Sequence, residues 1–411
     1  MTPEITTKAA LDKLLTYCRA ENWAGYDPYD ALNSRVFESL PVLNSRLPRI
    51  ALTQLLKRSP VNVRRLALIE KTQNPKALGL FLSAFTQLSK EDLADRDELI
   101  DYMVKRITEL RAPESKYWCW GYSFPWQGRK VVVPRGAANL VCTVFAANAL
   151  LDAYEAQGGA HLLGMAASAA DYIQNELYWD DGRTAGFSYP LASLRNQIYN
   201  ANFLAAALLA RVSKLTGDKR FVAPALRVAR CSAVEQQKDG SWFYGESDSQ
   251  KWIDNFHTGY NLSGLRSLSR SLGVDEFDEN IERGFRFYRE NFFREDGAAK
   301  YFHNDVYPID IHCVAQSILT LLEFRDLDSE NITQARLVYG WAMEHMWDER
   351  GFFYYRKLRT CTIKTSYMRW SQAWMALALA EMVRSEKAQN SVMQIASPAA
   401  AYARELAAHQ A

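Results

Sequence analysis

The sequence predicts an all-α protein, an (α/α)6 toroid in which six helical hairpins close into a ring. Three observations carry this prediction: an acidic-glycine-aromatic segment recurs four times, Ala- and Leu-rich helices alternate with it, and polar-aromatic segments precede those helices. Internal repeats of this length indicate stacked supersecondary units. The 411 residues, 48% of them hydrophobic, suffice for one large core.

The recurring segment is centred on a glycine. Its four copies read LYWDDGRTAGFSYPL, VEQQKDGSWFYGES, NFFREDGAAKYFHND and HMWDERGFFYYRKLR, with glycines at Gly182, Gly240, Gly297 and Gly351 that are 58, 57 and 54 residues apart. A glycine after the end of a helix accepts a positive φ and begins a tight turn. The aromatic residues that follow it predict a short hairpin or an extended strap.

Five apolar helices alternate with these segments between about residues 137 and 384. Small residues on several faces predict helices that are packed on all sides, whereas the helices before the glycines are amphipathic and belong outside. An upstream pair, ALTQLLKRSPVNVRRLALI and PKALGLFLSAFTQLS, is expected to supply the sixth hairpin. An open superhelix of helix pairs is the competing architecture.

The domain prediction is a single toroid over residues 1–385. Residues 20–45, which include NWAGYDPYDALNS, form either a capped turn or a flap across the mouth of the ring. Residues 386–411 are an Ala-rich tail that is either a last helix or a loose end.

Composition argues against several classes of protein. With 49 basic and 47 acidic residues, the net charge of +2 gives no basic excess for nucleic acid. We expect no membrane span and no secretory signal, because no apolar run is long enough and the N-terminus lacks the required pattern. Six cysteines without CxxC spacing predict reduced, buried thiols and a cytoplasmic protein.

Cofactors and metals are not expected either. The chain has no GxxxxGK phosphate loop and no GxGxxG after a strand, and its six histidines lack metal-ligand spacing. A D-x-D at Asp326 to Asp328 lies in a linker and is interpreted as a helix cap. QQKDGSW is similar to a motif of terpene cyclases, but no DxDD or DDxxD site accompanies it, so a terpenoid-cyclase-like enzyme is a minor alternative.

The segments before the inner helices are expected to converge on one cavity. They are YWCWGYSFPWQGR with PRGAAN, RNQIYNAN, WIDNFHTGYN, NDVYPIDIH and KTSYMRWSQ. Aromatic rings that stack on sugar and polar groups that bind its hydroxyls suit a glycan ligand. The predicted substrate-binding residues are Asp27, Asp30, Trp120, Tyr122, Trp126, Asn139, Asn200, Tyr260, Tyr307, Arg369, Trp370 and Gln372.

Four residues are candidates for acid–base catalysis: Asp254, His257, Asp310 and His312. Each has a structural alternative, such as a loop hydrogen bond for Asp254, a packed histidine at His257 and a helix N-cap at Asp310. Paired carboxylates facing one cleft would suit glycoside cleavage. A histidine or tyrosine that takes a proton next to a carboxylate would suit an epimerase or a lyase.

The chain also resembles a known family. GYDPYDALNS, KTQNPKALGLFLSAF, CWGYSFPWQ, WIDNFHTGYNLSGL, YFHNDVYPIDIHCVAQ and MRWSQAWM together look like the VpsJ-type polysaccharide-biosynthesis proteins, over about residues 25 to 385. This resemblance implies a toroid similar to six-hairpin glycosidases and terpenoid cyclases, and a role in exopolysaccharide production. The family carries no settled reaction, so it assigns no catalytic residue.

Two functional hypotheses follow. The first is a carbohydrate-active hydrolase, lyase or epimerase of surface-polysaccharide biosynthesis. The second is a non-catalytic glycan-binding or scaffold component that contacts polysaccharide-synthesis proteins. A fold of this class does not choose between them.

Overall fold

A computed structural model describes residues 5–35, 37, 45–128 and 131–408, with side chains up to residue 391. In chain order, its α-helices are α1 Thr7–Ala20, α2 Arg46–Arg58, α3 Pro75–Gln87, α4 Arg96–Glu109, α5 Leu140–Gln157, α6 Ala160–Tyr172, α7 Tyr199–Thr216, α8 Val222–Ala233, α9 Asn255–Leu272, α10 Asp278–Phe292, α11 Ile311–Glu323, α12 Glu330–Met346 and α13 Ala373–Ala408.

Short strands lie in the loops. They are β1 Trp126–Gln127, β2 Val132–Val133, β3 Tyr178–Asp180, β4 Ala185–Phe187, β5 Ile309–Asp310, β6 Trp347–Asp348, β7 Phe352–Phe353, β8 Arg356–Lys357 and β9 Thr362–Ile363. Strand β3 pairs with β4, and β6 with β7, as antiparallel hairpins around Gly182 and Gly351. These are two of the hairpins that the repeat predicts.

Six inner helices form a closed ring. In order they are α3, α5, α7, α9, α11 and α13; each packs against the next, and α13 packs against α3. The outer layer consists of α4, α6, α8, α10, α12 and α1, which pack chiefly against α3, α5, α7, α9, α11 and α13, respectively. Ala- and Leu-rich inner helices such as α5 are buried on nearly every face, which is what a position between two neighbours and an outer helix requires. The predicted (α/α)6 toroid is confirmed.

The sixth outer helix is not the one that the sequence indicated. Helix α1 packs against α13, whereas residues 51–69 do not supply an outer helix of the ring. The physical reason is the size of the apolar face. Helix α1 buries Ala10, Leu11, Leu14, Leu15 and Cys18, whereas α2 buries only Thr53 and Leu56 and leaves Leu47 and Leu55 exposed.

Three of the four repeated glycines, Gly240, Gly297 and Gly351, lie against the backbone of the next outer helix. Gly240 has φ 93°, and a Cβ there would overlap the backbone carbonyl of Arg283 on α10. Gly351 also has φ 93°, and its Cβ would lie 2.6 Å from the carbonyl oxygen of Lys13 on α1. Both the turn and the close approach therefore require glycine. The same contact around the ring identifies α1 as the sixth outer helix.

The predicted tail and the predicted flap can be compared with the structure. Helix α13 continues past residue 385 to Ala408. Of the predicted flap at 20–45, residues 36 and 38–44 lie outside the described residues, and Tyr29 in the described part contacts Trp370.

All six cysteines are free; Cys361 is exposed and Cys231 is half-buried, whereas all six were expected to be buried. Among the described residues, no helix combines the length and the hydrophobicity needed to cross a bilayer.

Candidate functional site

Equivalent positions of the repeat meet in one cavity of about 520 Å³. The second residue of each inner helix lines it: Lys76, Val141, Asn200, Phe256 and His312, and in the sixth unit Arg369, the second residue of the short turn Met368–Gln372 that leads into α13. The N-termini of the inner helices therefore face the same end of the ring. This convergence is what the repeat predicted for the mouth.

Aromatic rings form most of the remaining wall. They are Tyr29, Tyr122, Phe124, Trp126, Tyr189, Tyr244, Trp252, Tyr260, Tyr301, Phe302 and Trp370. Tyr244 and Trp252 stack with their centroids 4.5 Å apart and an angle of 12° between the rings. No aspartate or glutamate is among the described residues that line this cavity. An apolar wall with a few polar groups suits the faces and hydroxyls of a sugar.

His257 is held by the buried carboxylate of Asp254. The Nδ1 atom of His257 lies 2.7 Å from Oδ2 of Asp254, which also accepts a hydrogen bond from Trp252 Nε1 at 3.0 Å. Oδ1 of Asp254 accepts from the backbone N–H of His257, so the same residue is the N-cap of α9. This pairing fixes the ring and leaves Nε2 as the nitrogen without a hydrogen bond in the described structure.

His312 lies deeper and pairs with a tyrosine. Its Nε2 is 2.7 Å from the hydroxyl of Tyr260, and its ring stacks between Phe256 and Trp374 at 4.5 and 4.6 Å. Burial is the largest cause that lowers the pKa of His312 well below its ordinary value, and the positive charge of Arg369 acts in the same direction. The imidazole is therefore neutral near pH 7. Its Nδ1 has no hydrogen-bond partner within the described structure.

Asp310 is occupied by structural bonds. Oδ1 accepts from the backbone N–H of His312 at 2.9 Å and from Trp370 Nε1 at 2.8 Å. Oδ2 accepts two hydrogen bonds from Arg356, at 2.8 and 2.6 Å. The carboxylates of Asp254 and Asp310 do not line the cavity, so the expectation of two carboxylates facing one cleft is not met. Both are helix N-caps: Asp254 bonds the backbone N–H and the ring of His257, and Asp310 bonds the backbone N–H of His312.

Two further aspartates anchor the N-terminal segment. Asp27 accepts two hydrogen bonds from Arg369, from Nε at 2.6 Å and from Nη2 at 2.8 Å. Burial alone disfavours the guanidinium charge, but Asp27 raises the pKa of Arg369 above its ordinary value. Asp30 pairs with Arg64 Nε at 2.9 Å, and burial raises the pKa of this carboxyl to about 6. Neither aspartate lines the cavity.

The predicted substrate-binding residues divide into two groups. Those that line the cavity are Tyr122, Trp126, Asn200, Tyr260, Arg369 and Trp370. Others hold the frame: Trp120 donates to Ile107 O, Asn139 caps α5, and Gln372 bonds both backbone groups of Phe353. Tyr307 is half-buried and does not line the cavity.

Among the charged residues that the structure describes at the cavity, Lys76 was not predicted from the sequence. Lys76 is 3% exposed, and its Nζ lies 3.9 Å from the ring centroid of Phe145. Burial, and then the charge of Arg369, lower its pKa well below the ordinary value for lysine. The signal was present in the repeat, because TQNPK stands before the first inner helix as the other mouth segments stand before theirs. Only the later five inner helices were considered for the mouth.

Comparison with known proteins places the fold. No protein-family model matches the chain. No curated protein matches it either. Solved structures do: cellobiose 2-epimerase from Bacillus thermoamylovorans B4167 has a TM-score of 0.59 at 9% identity, covering 76% of this chain and 88% of its own.

Two other neighbours carry different activities on the same fold. A GH76 alpha-mannanase from Bacteroides thetaiotaomicron has a TM-score of 0.59 at 14% identity, with 77% of this chain and 87% of that chain covered. D-mannose isomerase has a TM-score of 0.57 at 12% identity, with 76% and 87% covered. These neighbours are carbohydrate-acting enzymes of the α/α toroid fold. At such identities the likeness establishes the fold, and the reaction has to be argued from the site.

We searched the described side chains for a metal site. Within residues 5–35, 37, 45–128 and 131–391, no group of three or more His, Cys, Asp or Glu side chains is arranged to hold a metal ion. The polar groups of the cavity are instead imidazoles, an amine, a guanidinium, tyrosine hydroxyls and one amide. These groups can donate hydrogen bonds and exchange protons.

Proposed function

We propose that this protein is a carbohydrate-active enzyme that moves a proton at a sugar carbon next to a carbonyl group, as an epimerase or an isomerase does. One observation carries the proposal: the described residues that line the cavity include the imidazoles of His257 and His312, which can accept a proton, and they include no carboxylate. Proton transfer from a carbon needs a base of this kind. Glycoside cleavage generally needs two carboxylates at the scissile bond.

His257 is the proposed base. Its Nε2 takes the proton from the carbon, and the buried Asp254 stabilises the imidazolium that forms. Tyr260 stands one helical turn further along α9, with its ring centroid 6.0 Å from that of His257. Its hydroxyl, paired with His312, is placed to hydrogen-bond the carbonyl oxygen as charge develops there. Returning the proton to the opposite face gives the epimer, and returning it to the neighbouring carbon gives the isomer.

The structural neighbours support this choice without deciding it. Cellobiose 2-epimerase and D-mannose isomerase share the toroid, and so does a mannanase. Elimination also begins with removal of a proton next to a carbonyl group, so a lyase is the second candidate favoured by His257. A non-catalytic glycan-binding protein would need the same aromatic wall but not the Asp254–His257 pair.

The biological setting is also a proposal. We infer from the resemblance to VpsJ-type proteins that the enzyme acts in the cytoplasm on a precursor of a surface polysaccharide, together with polysaccharide-synthesis proteins. Deletion of the gene should then change the sugar composition of that polysaccharide. An unchanged composition and yield would contradict this setting.

The reaction can be tested by isotope exchange. The purified protein is incubated in D₂O with a panel of reducing sugars and uronates, and products are read by mass spectrometry and NMR. We expect deuterium at a single carbon, with loss of the exchange in His257→Gln. His161→Gln is the matched control, because His161 is exposed on α6. Release of a shorter sugar without deuterium on carbon would identify a hydrolase, and a new double bond would identify a lyase.

A further inference from the structure

Lys76 places an amine in the cavity without an acidic partner. The side chain is 97% buried, since only 3% of it is exposed. Nζ lies 3.9, 5.2 and 5.5 Å from the ring centroids of Phe145, Trp374 and Tyr260, and it makes no hydrogen bond to any described residue. Aromatic faces attract a cation only modestly compared with the loss of its hydration. The amine therefore lacks the partner that a buried lysine requires.

Arg369 is the neighbour of Lys76 on the ring. Helices α3 and α13 pack together, and both residues occupy the second position of their first turn. Asp27 engages Nε and Nη2 of Arg369, and Nη1 has no hydrogen-bond partner among the described residues. Nζ of Lys76 and Nη1 of Arg369 are thus two hydrogen-bond donors without acceptors among the described residues, on neighbouring elements of the cavity wall.

Within the part of the chain that the structure describes, the carboxylates near the cavity are each bonded to other groups. Asp27 binds Arg369, Asp254 binds His257 and Trp252, and Asp310 binds Arg356. The inner helices also present their N-termini at this end, which favours negative charge. The cavity wall at Lys76 and Arg369 therefore offers a place for one negative charge that the described protein does not supply.

We propose that the substrate carries a carboxylate, as a uronic acid does, and that this carboxylate binds between Nζ of Lys76 and Nη1 of Arg369. The identification of the ligand as a sugar rests on the function proposed above, whereas the charge requirement rests on these two residues. A single carboxylate fits better than a phosphate, because Asp27 already neutralises Arg369. Lys76 adds at most one positive charge, once its amine is protonated. Cellobiose and mannose, the sugars named for two structural neighbours, are neutral.

Binding of the carboxylate is coupled to a proton. In the free protein, burial and then the charge of Arg369 lower the pKa of Lys76, which favours the neutral amine. A bound carboxylate beside the amine raises the pKa of Lys76 again. A proton from solvent then binds to Nζ, and the ammonium donates a hydrogen bond to the carboxylate. The other titratable groups nearby keep their state: burial raises the pKa of Tyr260 and raises that of Cys142 to about 12, and His312 stays neutral.

The test is calorimetric titration with matched sugar pairs at equal ionic strength. The pairs are glucose and glucuronate, mannose and mannuronate, galactose and galacturonate, and cellobiose and cellobiouronic acid. Titrations in two buffers of different ionisation enthalpy at pH 7.5 give the number of protons exchanged. We expect one uronate to bind about tenfold to a hundredfold more tightly than its neutral partner, with uptake of about one proton.

Two variants assign the effect to the lysine. Lys76→Met should remove both the preference and the proton uptake, whereas Lys76→Arg should keep the preference and lose the uptake. Lys214→Met is the matched control, because Lys214 is exposed in the last turn of α7, at the other end of the ring. Both properties should persist in the control. Circular dichroism melts establish that each variant is folded.

Several results would overturn the inference. Equal affinity for every uronate and its neutral partner would do so, and deuterium exchange into a neutral sugar would then leave the proposed reaction intact. Tighter binding of mannose 6-phosphate than of any uronate would replace the carboxylate by a phosphate. Uronate binding with proton uptake but without deuterium exchange would support the charge requirement and contradict the proposed reaction.

Discussion

The Nδ1 atom of His257 lies 2.7 Å from Oδ2 of Asp254, three residues earlier on the chain. The carboxylate is fully buried and the imidazole is 21% exposed, so the pair runs from the protein interior to the cavity. Because the Asp254 carboxylate can only accept, Nδ1 of His257 carries the proton and donates to it, which favours the tautomer with an unprotonated Nε2 toward the substrate. A base of the proposed reaction needs this tautomer.

Asp254→Asn should therefore abolish turnover while keeping the fold. Asparagine retains an oxygen that caps α9, but its amide nitrogen replaces Oδ2 opposite the indole N–H of Trp252, so the free energy of unfolding should fall by about 1–3 kcal/mol. Its amide group facing Nδ1 favours the opposite tautomer, in which Nε2 is protonated and cannot act as a base. We expect kcat for deuterium exchange to fall roughly 10²- to 10⁴-fold with little change in KM.

The control for Asp254→Asn is Asp278→Asn, an exposed acidic residue at the start of α10. It should leave both kcat and the melting temperature unchanged. An Asp254→Asn variant with wild-type kcat would remove the pair from catalysis and leave Asp254 as a helix cap.

Tyr260→Phe tests the second pair. The hydroxyl of Tyr260 is the hydrogen-bond partner of His312 Nε2, whose Nδ1 is already unpaired among the described residues. Losing the hydroxyl leaves a buried imidazole with no partner at all, which should lower the free energy of unfolding by about 1–3 kcal/mol. Urea denaturation measures this loss. A stability within 0.5 kcal/mol of wild type, about the error of such a difference, would mean that water replaces the hydroxyl.

Much of the fold was accessible from sequence because the repeat is local. Each repeated glycine lies in the loop that follows an outer helix, and Gly182, Gly240, Gly297 and Gly351 have the φ values of 85° to 93° that such tight turns require. The pairing of α1 with α13 was not accessible, because it joins residues more than 350 positions apart without a shared motif.

The site was accessible only in part, for a related reason. Position in the repeat correctly placed His257, Tyr260 and Arg369 at the cavity. It could not show that Asp310 is neutralised by Arg356, because that ion pair joins two different loops. Lys76 was not predicted, because the mouth segments were taken only from the second to the sixth inner helix and TQNPK precedes the first.

The repeated glycine contact gives a paired prediction. A Cβ at Gly240 would overlap the carbonyl of Arg283, whereas a Cβ at Gly182 would have no heavy atom within 4 Å. Both residues have positive φ, so alanine at either position carries about 1–2 kcal/mol of backbone strain. Gly240→Ala should cost at least about 1 kcal/mol more than Gly182→Ala, because α10 has to move. Equal losses in chemical denaturation would show that the loop adjusts freely.

Lys76→Met should not destabilise the protein near neutral pH. Methionine has nearly the same length and suits the aromatic surroundings, and it removes an amine that must lose its charge to be buried. We expect the free energy of unfolding at pH 7 to be unchanged or to rise by about 1–3 kcal/mol. The folded pKa of Lys76 is lowered, so the wild type gains stability as pH rises from that pKa to about 10.4, the unfolded value.

The stability difference between Lys76→Met and the wild type should therefore shrink as pH is raised toward 10. Melting temperatures of both proteins, measured from pH 6.5 to 10, test this trend. The difference between Lys214→Met and the wild type should not change with pH. A difference that grows with pH would mean that Lys76 is protonated and stabilising in the free protein.

The pair of Asp27 and Arg369 ties the N-terminal segment to the last inner helix, across 342 positions of sequence. Both side chains are 5% exposed, so either residue alone would be a buried charge without its partner. Arg369→Met should lower the free energy of unfolding by about 3–5 kcal/mol, and Asp27→Asn should also lower it strongly. The double variant should recover much of the loss, because no uncompensated charge is then buried.

Activity should separate from stability in this cycle. The double variant restores the fold but lacks the guanidinium at the cavity, so its affinity for a uronate should stay at the level of Arg369→Met. Urea denaturation and calorimetric titration on the four proteins measure both properties. Additive stability losses would show that water or a neighbouring group already solvates each charge. The double variant recovers stability but still lacks the guanidinium of Arg369. Recovery of uronate affinity in that variant would therefore contradict the role of Arg369 in binding.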